Sequence, residues 1–336
     1  MDFFDIIGIT QLIEYGKEKL GICPEKVEEK KIYHSEQITP KKYSFRPRTL
    51  EEYIGQENAK ELIKINLKKI ETMKPVHLII SGAKGTGKST LAYIVANYLK
   101  MNIMTYVAGS FTIINLMQFV EKNNKSEQPM ILFVDEIHSL DKSVGEFMYI
   151  LLEQFILPIG NVDVRPFIFI GCTTDLNILQ KKLAPMIDRC QSINLEHYSS
   201  NDIKQILHQY NIQTHQIPIT DEEYNTLSSS CRYTPRIALS LFDDFVIVRN
   251  IEKVLKAHQI IKNSLTTNDI IILKHLAEIK KPTGVEVLSI ITQQTKQDYM
   301  TLQEPFLIME KYISRTSRGR IITNSGIELL QGLDNV

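Results

Sequence analysis

Residues 82–89 read Gly-Ala-Lys-Gly-Thr-Gly-Lys-Ser and fit the phosphate-binding pattern G-x-x-x-x-G-K-[ST] at every position. The chemistry of such a loop lies in its backbone. Glycines let the chain wrap closely around a polyphosphate, N–H groups point inward, and the next helix offers its N-terminus. Lys88 would meet the β- and γ-phosphates, and the Ser89 hydroxyl would sit on Mg²⁺. Further along, Ile131-Leu132-Phe133-Val134 ends in two carboxylates, Asp135 and Glu136. A triphosphate hydrolase uses one such group to hold Mg²⁺ through its water shell and the other to orient and deprotonate the attacking water. Gly171-Cys172-Thr173-Thr174 closes another apolar run with two hydroxyls. In an open parallel sheet Thr174 would then lie near the γ-phosphate. Arg189 and Arg236 are candidates to stabilise transition-state charge, and an arginine of this kind can arrive from a neighbouring subunit. Spacing alone does not separate that role from a surface ion pair.

Positioning these groups requires strands that end where the polar residues begin. An apolar run at 76–81 leads into the glycine loop, and 88–99 leads out with helical periodicity. Strands are predicted at 103–107, 130–134, 167–172 and 192–195, and helices at 58–73, 111–121 and 144–155. Strands alternating with helices mean a parallel sheet covered on both faces, an α/β fold. After Tyr198 the strand signals stop. Helices at 200–210, 221–229 and 235–249 predict a small all-α lid. Helices at 269–279, with Asn268 as a candidate cap, at 285–292 and at 296–308 follow. A hairpin at 312–323, turning at Ser317-Arg318-Gly319, completes the layout of a winged helix. The expected domains are an N-terminal extension at 1–42, with an amphipathic helix and a linker, an ATPase domain at 43–197, a helical lid at 198–263 and a winged helix at 264–336.

Composition narrows the partners. Lys+Arg and Asp+Glu both number 39 in 336 residues, so any DNA contact needs a local patch. Lys311, Arg315, Arg318 and Arg320 in the wing supply one, suited to phosphate contacts without sequence readout. The cysteines Cys23, Cys172, Cys190 and Cys231 form no C-x-x-C pair, which argues against a zinc site and fits a reducing cytosol. Asp2 and Asp5 exclude a signal peptide, and no apolar stretch approaches the ~20 residues that span a bilayer. A cytoplasmic protein is expected.

The segment from Phe45 to Gln56, with Glu52-Tyr53-Ile54-Gly55-Gln56 at its end, resembles the entry segment of the RuvB family of Holliday-junction branch-migration motors, AAA+ ATPases. The 82–90 loop, Asp135-Glu136-Ile137-His138, Gly171-Cys172-Thr173-Thr174, Thr234-Pro235-Arg236-Ile237-Ala238 and Arg315-Thr316-Ser317-Arg318-Gly319-Arg320 follow in that family's order. The resemblance spans 43–325 and implies a homo-oligomeric ring, a hexamer, that hydrolyses ATP with Mg²⁺ and acts on duplex or junction DNA. It implies that Phe45, Arg46, Tyr53 and Ile54 surround adenine and ribose. Gly85, Thr86, Gly87, Lys88, Ser89 and Thr90 would hold phosphates and Mg²⁺, with Asp135 at the metal. Glu153, Gln154 and Phe155 match a stretch at a subunit boundary. Thr174 matches a first sensor, Arg189 a finger acting on a neighbour's ATP, Tyr198 a base contact and Arg236 a second sensor. Lys296, Arg315 and Arg320 match DNA contacts.

Four departures stand out. Tyr233 replaces the usual Gly before Thr-Pro-Arg, Asp243-Asp244 lies where arginines are usual, and Ile187 takes the place of an additional arginine. The stretch 156–165 is too short for the long hairpin that docks a RuvA-type partner, so only a tight turn is expected there. Docking by residues 1–20 and an intramolecular brace remain alternatives for the N-terminal helix. In function, the alternative to a motor is a clamp-loader- or initiator-like ATPase that changes grip without translocating.

Overall fold

The computed structural model describes residues 45–72 and 74–334, and the expected helix and linker at 1–42 lie outside the described residues. Contacts divide the chain after Tyr198 into two compact units. The first opens with helix α1 (Glu57–Glu71), strand β1 (His77–Ser81), α2 (Lys88–Leu99) and β2 (Ile103–Val107). Next come α3 (Ile113–Lys125), β3 (Ile131–Asp135) and α4 (Lys142–Gln154). The short strands β4 (Ile156–Leu157) and β5 (Val162–Asp163) lead to β6 (Ile168–Thr173), α5 (Leu176–Ile187) and β7 (Cys190–Asn194).

Five strands form one parallel sheet in the order β2-β3-β6-β1-β7. Alternation along the strands splits their side chains between two cores. Leu78, Ile80, Phe133 and Ile170 pack on one face with Ile63 of α1 and Leu91 and Val95 of α2. Ile79, Leu132, Val134 and Phe169 pack on the other with Phe119 of α3, Met148 of α4 and Leu179 of α5. Both faces are covered over the middle of the sheet, so β1, β3 and β6 read as largely apolar runs, whereas the edge strands β2 and β7 are partly exposed.

Two local differences from expectation have clear causes. Helix α5 escapes a periodicity reading because Pro185 lies inside it and Leu183 leaves helical geometry (φ −136°, ψ 37°). The 156–165 stretch is slightly more than a turn: Ile156 pairs with Asp163 and Leu157 with Val162. The ladder ends at Pro158, which has no N–H to continue it.

The second unit begins with helices α6 (Ser200–Thr214), α7 (Asp221–Ser229), α8 (Pro235–Val248) and α9 (Ile251–Ala257). A small hairpin, β8 (Ile260–Lys262) with β9 (Leu265–Thr266), precedes α10 (Thr267–Ile279) and α11 (Val285–Ile291). Thr266, not Asn268, caps α10, its hydroxyl accepting from Asp269 N–H while the Asp269 carboxylate accepts from Thr266 N–H at 2.7 Å. The single helix expected at 296–308 is broken into α12 (Lys296–Asp298), a π-helical turn (Tyr299–Gln303) and α13 (Glu304–Met309). Pro305 in the first turn of α13 cannot donate back to the preceding turn, which favours the altered register. The wing is β10 (Ile313–Thr316) paired with β11 (Gly319–Ile322), followed by α14 (Asn324–Asp334). Thr283 exchanges backbone hydrogen bonds with Arg320 at 2.9 and 2.8 Å, an isolated antiparallel bridge on the edge of the wing. Gly319 permits this approach: its φ is +145°, and a Cβ there would overlap the Thr283 backbone.

Candidate functional site

The carboxyl end of the sheet gathers the candidate catalytic groups. Because β6 lies between β1 and β3, the strand ends at Ser81, Thr173 and Asp135 sit side by side. The glycine loop leaves β1 and enters α2 through Gly87 (φ 98°). Lys88 is buried and donates to the carbonyls of Gly82 and Ala83 at 2.9 and 3.0 Å, which folds its ammonium over the loop. Thr86 is buried too, its hydroxyl bonded to Ala83 O at 2.8 Å. On the next turn Ser89 donates to Asp135 Oδ2 at 3.3 Å. A hydroxyl and a carboxylate this close form a hard-oxygen pair of the kind that suits Mg²⁺. Thr90 follows on the same turn, half-buried.

Glu136 leaves β3 in the left-handed region (φ 53°), and this turns its carboxylate toward β6. Thr174 donates to Glu136 Oε2 at 3.0 Å. His138 Nδ1 lies 3.4 Å from the same oxygen and 3.1 Å from the buried Thr173 hydroxyl. Residue type and spacing do not mark His138 as part of this network, although it stands in the same motif as Glu136.

Two buried tyrosines brace the loop from behind. The Tyr53 and Tyr198 hydroxyls lie 3.1 and 3.2 Å from Thr86 O and 3.1 Å from each other. Burial pushes the Tyr53 phenol well above its ordinary range, so it stays a neutral donor. A Cβ at Gly87 would collide with the Tyr53 hydroxyl, so the glycine serves close approach as well as backbone angle. The Gln56 side chain clamps Glu196, donating to its carbonyl at 2.7 Å and accepting from its N–H at 2.9 Å. Arg46 lies over the Tyr93 ring at 5.3 Å, while Phe45 and Ile54 are half-buried beside this entry segment.

Arg189 is elsewhere. It directly precedes β7, and His77, at the start of β1, is level with Cys190. Arg189 therefore sits at the amino end of the sheet, about 13 Å or more of strand rise from the loop end. There it bonds Glu153 at 3.0 Å and Pro185 O at 2.9 Å, and stacks 4.4 Å over Tyr149. Glu153 thus joins Arg189 and Gln154 is exposed, but Phe155 turns inward, edge-on to Phe167 at 5.8 Å. Buried His77 lies beside both rings. Its Nδ1 accepts from Phe169 N–H, so Nε2 carries the proton to Leu152 O, both at 3.1 Å. Burial lowers its pKa to about 4.

In the second unit, Arg236 is exposed on the first turn of α8. The wing arginines differ among themselves. Arg320 is drawn inward, its Nε and Nη2 clasping the Glu304 carboxylate at 2.8 and 3.0 Å. Glu304 is 1 % exposed and Arg320 13 %, whereas Arg315, 3.0 Å from the same carboxylate, is 58 % exposed. Lys296 pairs with Glu286 at 2.7 Å on the surface. Arg318 and Lys311 are exposed at the two ends of the wing.

A parallel sheet with β6 inserted between β1 and β3 and a glycine-rich loop after β1, followed by a winged helix, defines a AAA+ P-loop ATPase with a DNA-binding type of appendage. Family models agree in both units: the Holliday junction DNA helicase RuvB P-loop domain matches residues 45–194, and the RuvB C-terminal winged helix domain matches 262–331. The chain belongs to the RuvB family. It is 30% identical to the Holliday junction branch migration complex subunit RuvB of Mycoplasmopsis pulmonis, over 87% of this chain and 99% of the relative. The corresponding Fervidobacterium nodosum subunit is also 30% identical, over 96% and 95% of the two chains. Among solved structures, the Thermotoga maritima RuvB Holliday junction branch migration motor superposes with a TM-score of 0.72 at 29% identity, covering 85% of this chain and 98% of that one.

Proposed function

We propose that this chain is an ATP-driven motor that moves branch points of Holliday-junction DNA as one subunit of a homo-oligomeric ring in the cytoplasm. The observation that carries the reading is the convergence of Lys88, the Ser89–Asp135 pair and the Glu136–Thr174 pair at neighbouring strand ends. ATP is the substrate. Backbone N–H groups of the loop and Lys88 bind and orient its phosphates, with Gly85, Thr86 and Gly87 shaping the cradle. Phe45, Arg46, Tyr53, Ile54 and Tyr198 flank the base side, Tyr53 and Tyr198 acting through the loop backbone that they brace. Ser89 and Asp135 would hold Mg²⁺, which would supply charge neutralisation at the phosphates. Glu136 takes the proton of the attacking water, and Thr174 aims its carboxylate.

Arg189 acts on a neighbour's nucleotide. It stands a strand length from its own loop, and a surface guanidinium already ordered by Glu153 and Tyr149 suits a subunit boundary. Arg236 reads the nucleotide as a second sensor. The wing grips DNA phosphates through Arg318 and Arg315, and Lys296 adds a further contact, whereas Arg320 serves the grip by holding Glu304. The short β4–β5 hairpin offers little ladder to a RuvA-type partner.

The test is branch migration on synthetic four-way junctions with Glu136→Gln protein. ATP binding should persist while hydrolysis and migration fall together by about 10²–10⁴-fold. Wild-type turnover in this variant would sink the assignment. ATP hydrolysis without any strand movement in the unmodified protein would favour the grip-changing ATPase instead.

A further inference from the structure

Two residues ahead of the Arg236 turn, the chain makes an unusual passage. Arg232 and Tyr233 both have positive φ, 50° and 55°, in the link between α7 and α8. Side-chain residues rarely hold that conformation twice in succession unless surrounding contacts impose it. Here the contacts from distant residues come from the winged-helix part of the same unit. Arg232 N–H donates to Ser264 Oγ at 2.8 Å and its Nε to Ser264 O at 3.2 Å. Its Nη2 reaches Thr266 Oγ1 at 3.2 Å and the Asp269 carboxylate, which is fully buried. Its Nη1 donates to Leu302 O, inside the π-helical turn, and the guanidinium lies 4.7 Å over the Phe306 ring. A π turn displaces carbonyls from their regular helical partners, and Arg232 supplies a donor to one of them. Tyr233 packs into the winged-helix core and donates to Glu310 Oε1 at 2.8 Å.

These bonds join three elements of the winged helix (α10, the π turn before α13, and the approach to the wing) to a backbone step that continues straight into α8. Thr234 adds to the stiffness, its hydroxyl donating to Arg232 O at 2.9 Å. Pro235 then fixes φ at the first position of α8, and Arg236 follows. Little freedom remains between the helix that presents Arg236 and the helix that leads into the wing.

We propose that Arg232 and Tyr233 are positioning residues that fuse the Arg236 turn to the winged helix, so that DNA on the wing and nucleotide at Arg236 alter each other's binding. The inference rests on the reading of Arg236 as a nucleotide sensor and of the wing as the DNA grip. Coupling of this kind is reciprocal: duplex DNA tightens ATP binding by the same factor by which an ATP analogue tightens duplex binding.

The experiment measures that factor in the full-length ring, from duplex affinity with and without ATPγS and from ATPγS affinity with and without duplex, with the ATPase KM and kcat as a separate readout. The main variant is Tyr233→Gly, which accepts the backbone angle without strain, removes the ring and its bond to Glu310, and frees the backbone step that joins the Arg232 anchor to α8. Tyr233→Phe keeps the packing and loses only the bond to Glu310. In the unmodified protein the factor should be about 5-fold or more, the lower end of ordinary allosteric coupling. Tyr233→Gly should bring it close to one while duplex affinity without nucleotide and ATPase without DNA stay unchanged, and Tyr233→Phe should fall between. An undiminished factor in Tyr233→Gly overturns the proposal. So does a lowered melting temperature accompanied by proportional loss of duplex affinity and basal turnover, because that is a merely structural role. Arg236→Ala separates the two levels. Unaltered ATP turnover in Arg236→Ala sinks the sensor reading, whereas a crippled Arg236→Ala beside a fully coupled Tyr233→Gly sinks the tether alone.

Discussion

The nucleotide rim of the first unit and the wing of the second use charge in opposite ways. At the rim, Lys88 is tied to the carbonyls of its own loop and Ser89 to Asp135, bonds that keep each group beside the place where phosphate belongs. In the wing, the carboxylate of Glu304 withdraws one arginine completely and shares a second. Pre-satisfied groups at the rim are ready to exchange partners when a ligand arrives. A bidentate arginine on a buried carboxylate is not, because breaking it would leave an unpaired charge in the interior. Basic residues in one motif therefore need not share one task.

The largest effect that would sharpen this contrast lies at neither place but at the amino end of the sheet. Arg189→Ala should lower steady ATP hydrolysis by about 10³-fold or more. Mixing it with Glu136→Gln subunits should restore part of the rate, because some interfaces then join an intact base to an intact finger. No recovery in rings shown to exchange subunits would put Arg189 outside a neighbour's site.

Within the wing, Arg320→Ala should behave as a folding mutation. Leaving the buried Glu304 carboxylate without its bidentate partner should cost about 3 kcal/mol. Urea unfolding of the variant checks this, and unchanged stability together with weakened DNA binding would restore Arg320 to the grip.

His77 gives a pH test of the sheet that carries the rim. Its folded pKa of about 4 lies below the ordinary value of 6.5, so the unfolded chain takes up the proton first as pH falls. Its contribution is complete above pH 6.5 and is lost progressively toward pH 4, by up to about 3 kcal/mol at roughly 1.4 kcal/mol per pH unit. His77→Gln should flatten the stability profile in that window, and an identical slope in the variant would refute the assignment.

The smallest effect belongs to Arg318→Ala. Removing a single phosphate-binding guanidinium from the exposed turn should flatten the log K against log salt slope for duplex DNA by about 0.9, alike for all sequences. A weakening that depends on sequence would mean that Arg318 reads base edges instead of phosphates.

Much of the rim was legible in the chain because its chemistry is local. The loop from Gly82 to Ser89 sits within one strand–turn–helix step, and Asp135 and Thr174 each close an apolar run that can only be a buried strand. The boundaries of β2 and α2 follow as well, from a short β-branched and aromatic run and from helical periodicity. Helix α5 was hidden by Pro185, and the break after Lys296 escapes helical periodicity although Pro305, which favours it, stands in the sequence.

By itself, then, the sequence determined a phosphate loop, two carboxylates, a strand closed by two hydroxyls and a wing of basic residues, since each depends on neighbours along the chain. The tertiary structure alone decided that β6 lies between β1 and β3, so that Thr174 meets Glu136. It also decided that Arg189 stands at the far end of the sheet from its own loop, that Arg320 belongs to Glu304, and that Arg232 is locked onto Asp269 and the π turn. Strand order and the partner of a buried charge are set by which surfaces exclude water together, across separations that residue type and spacing do not encode.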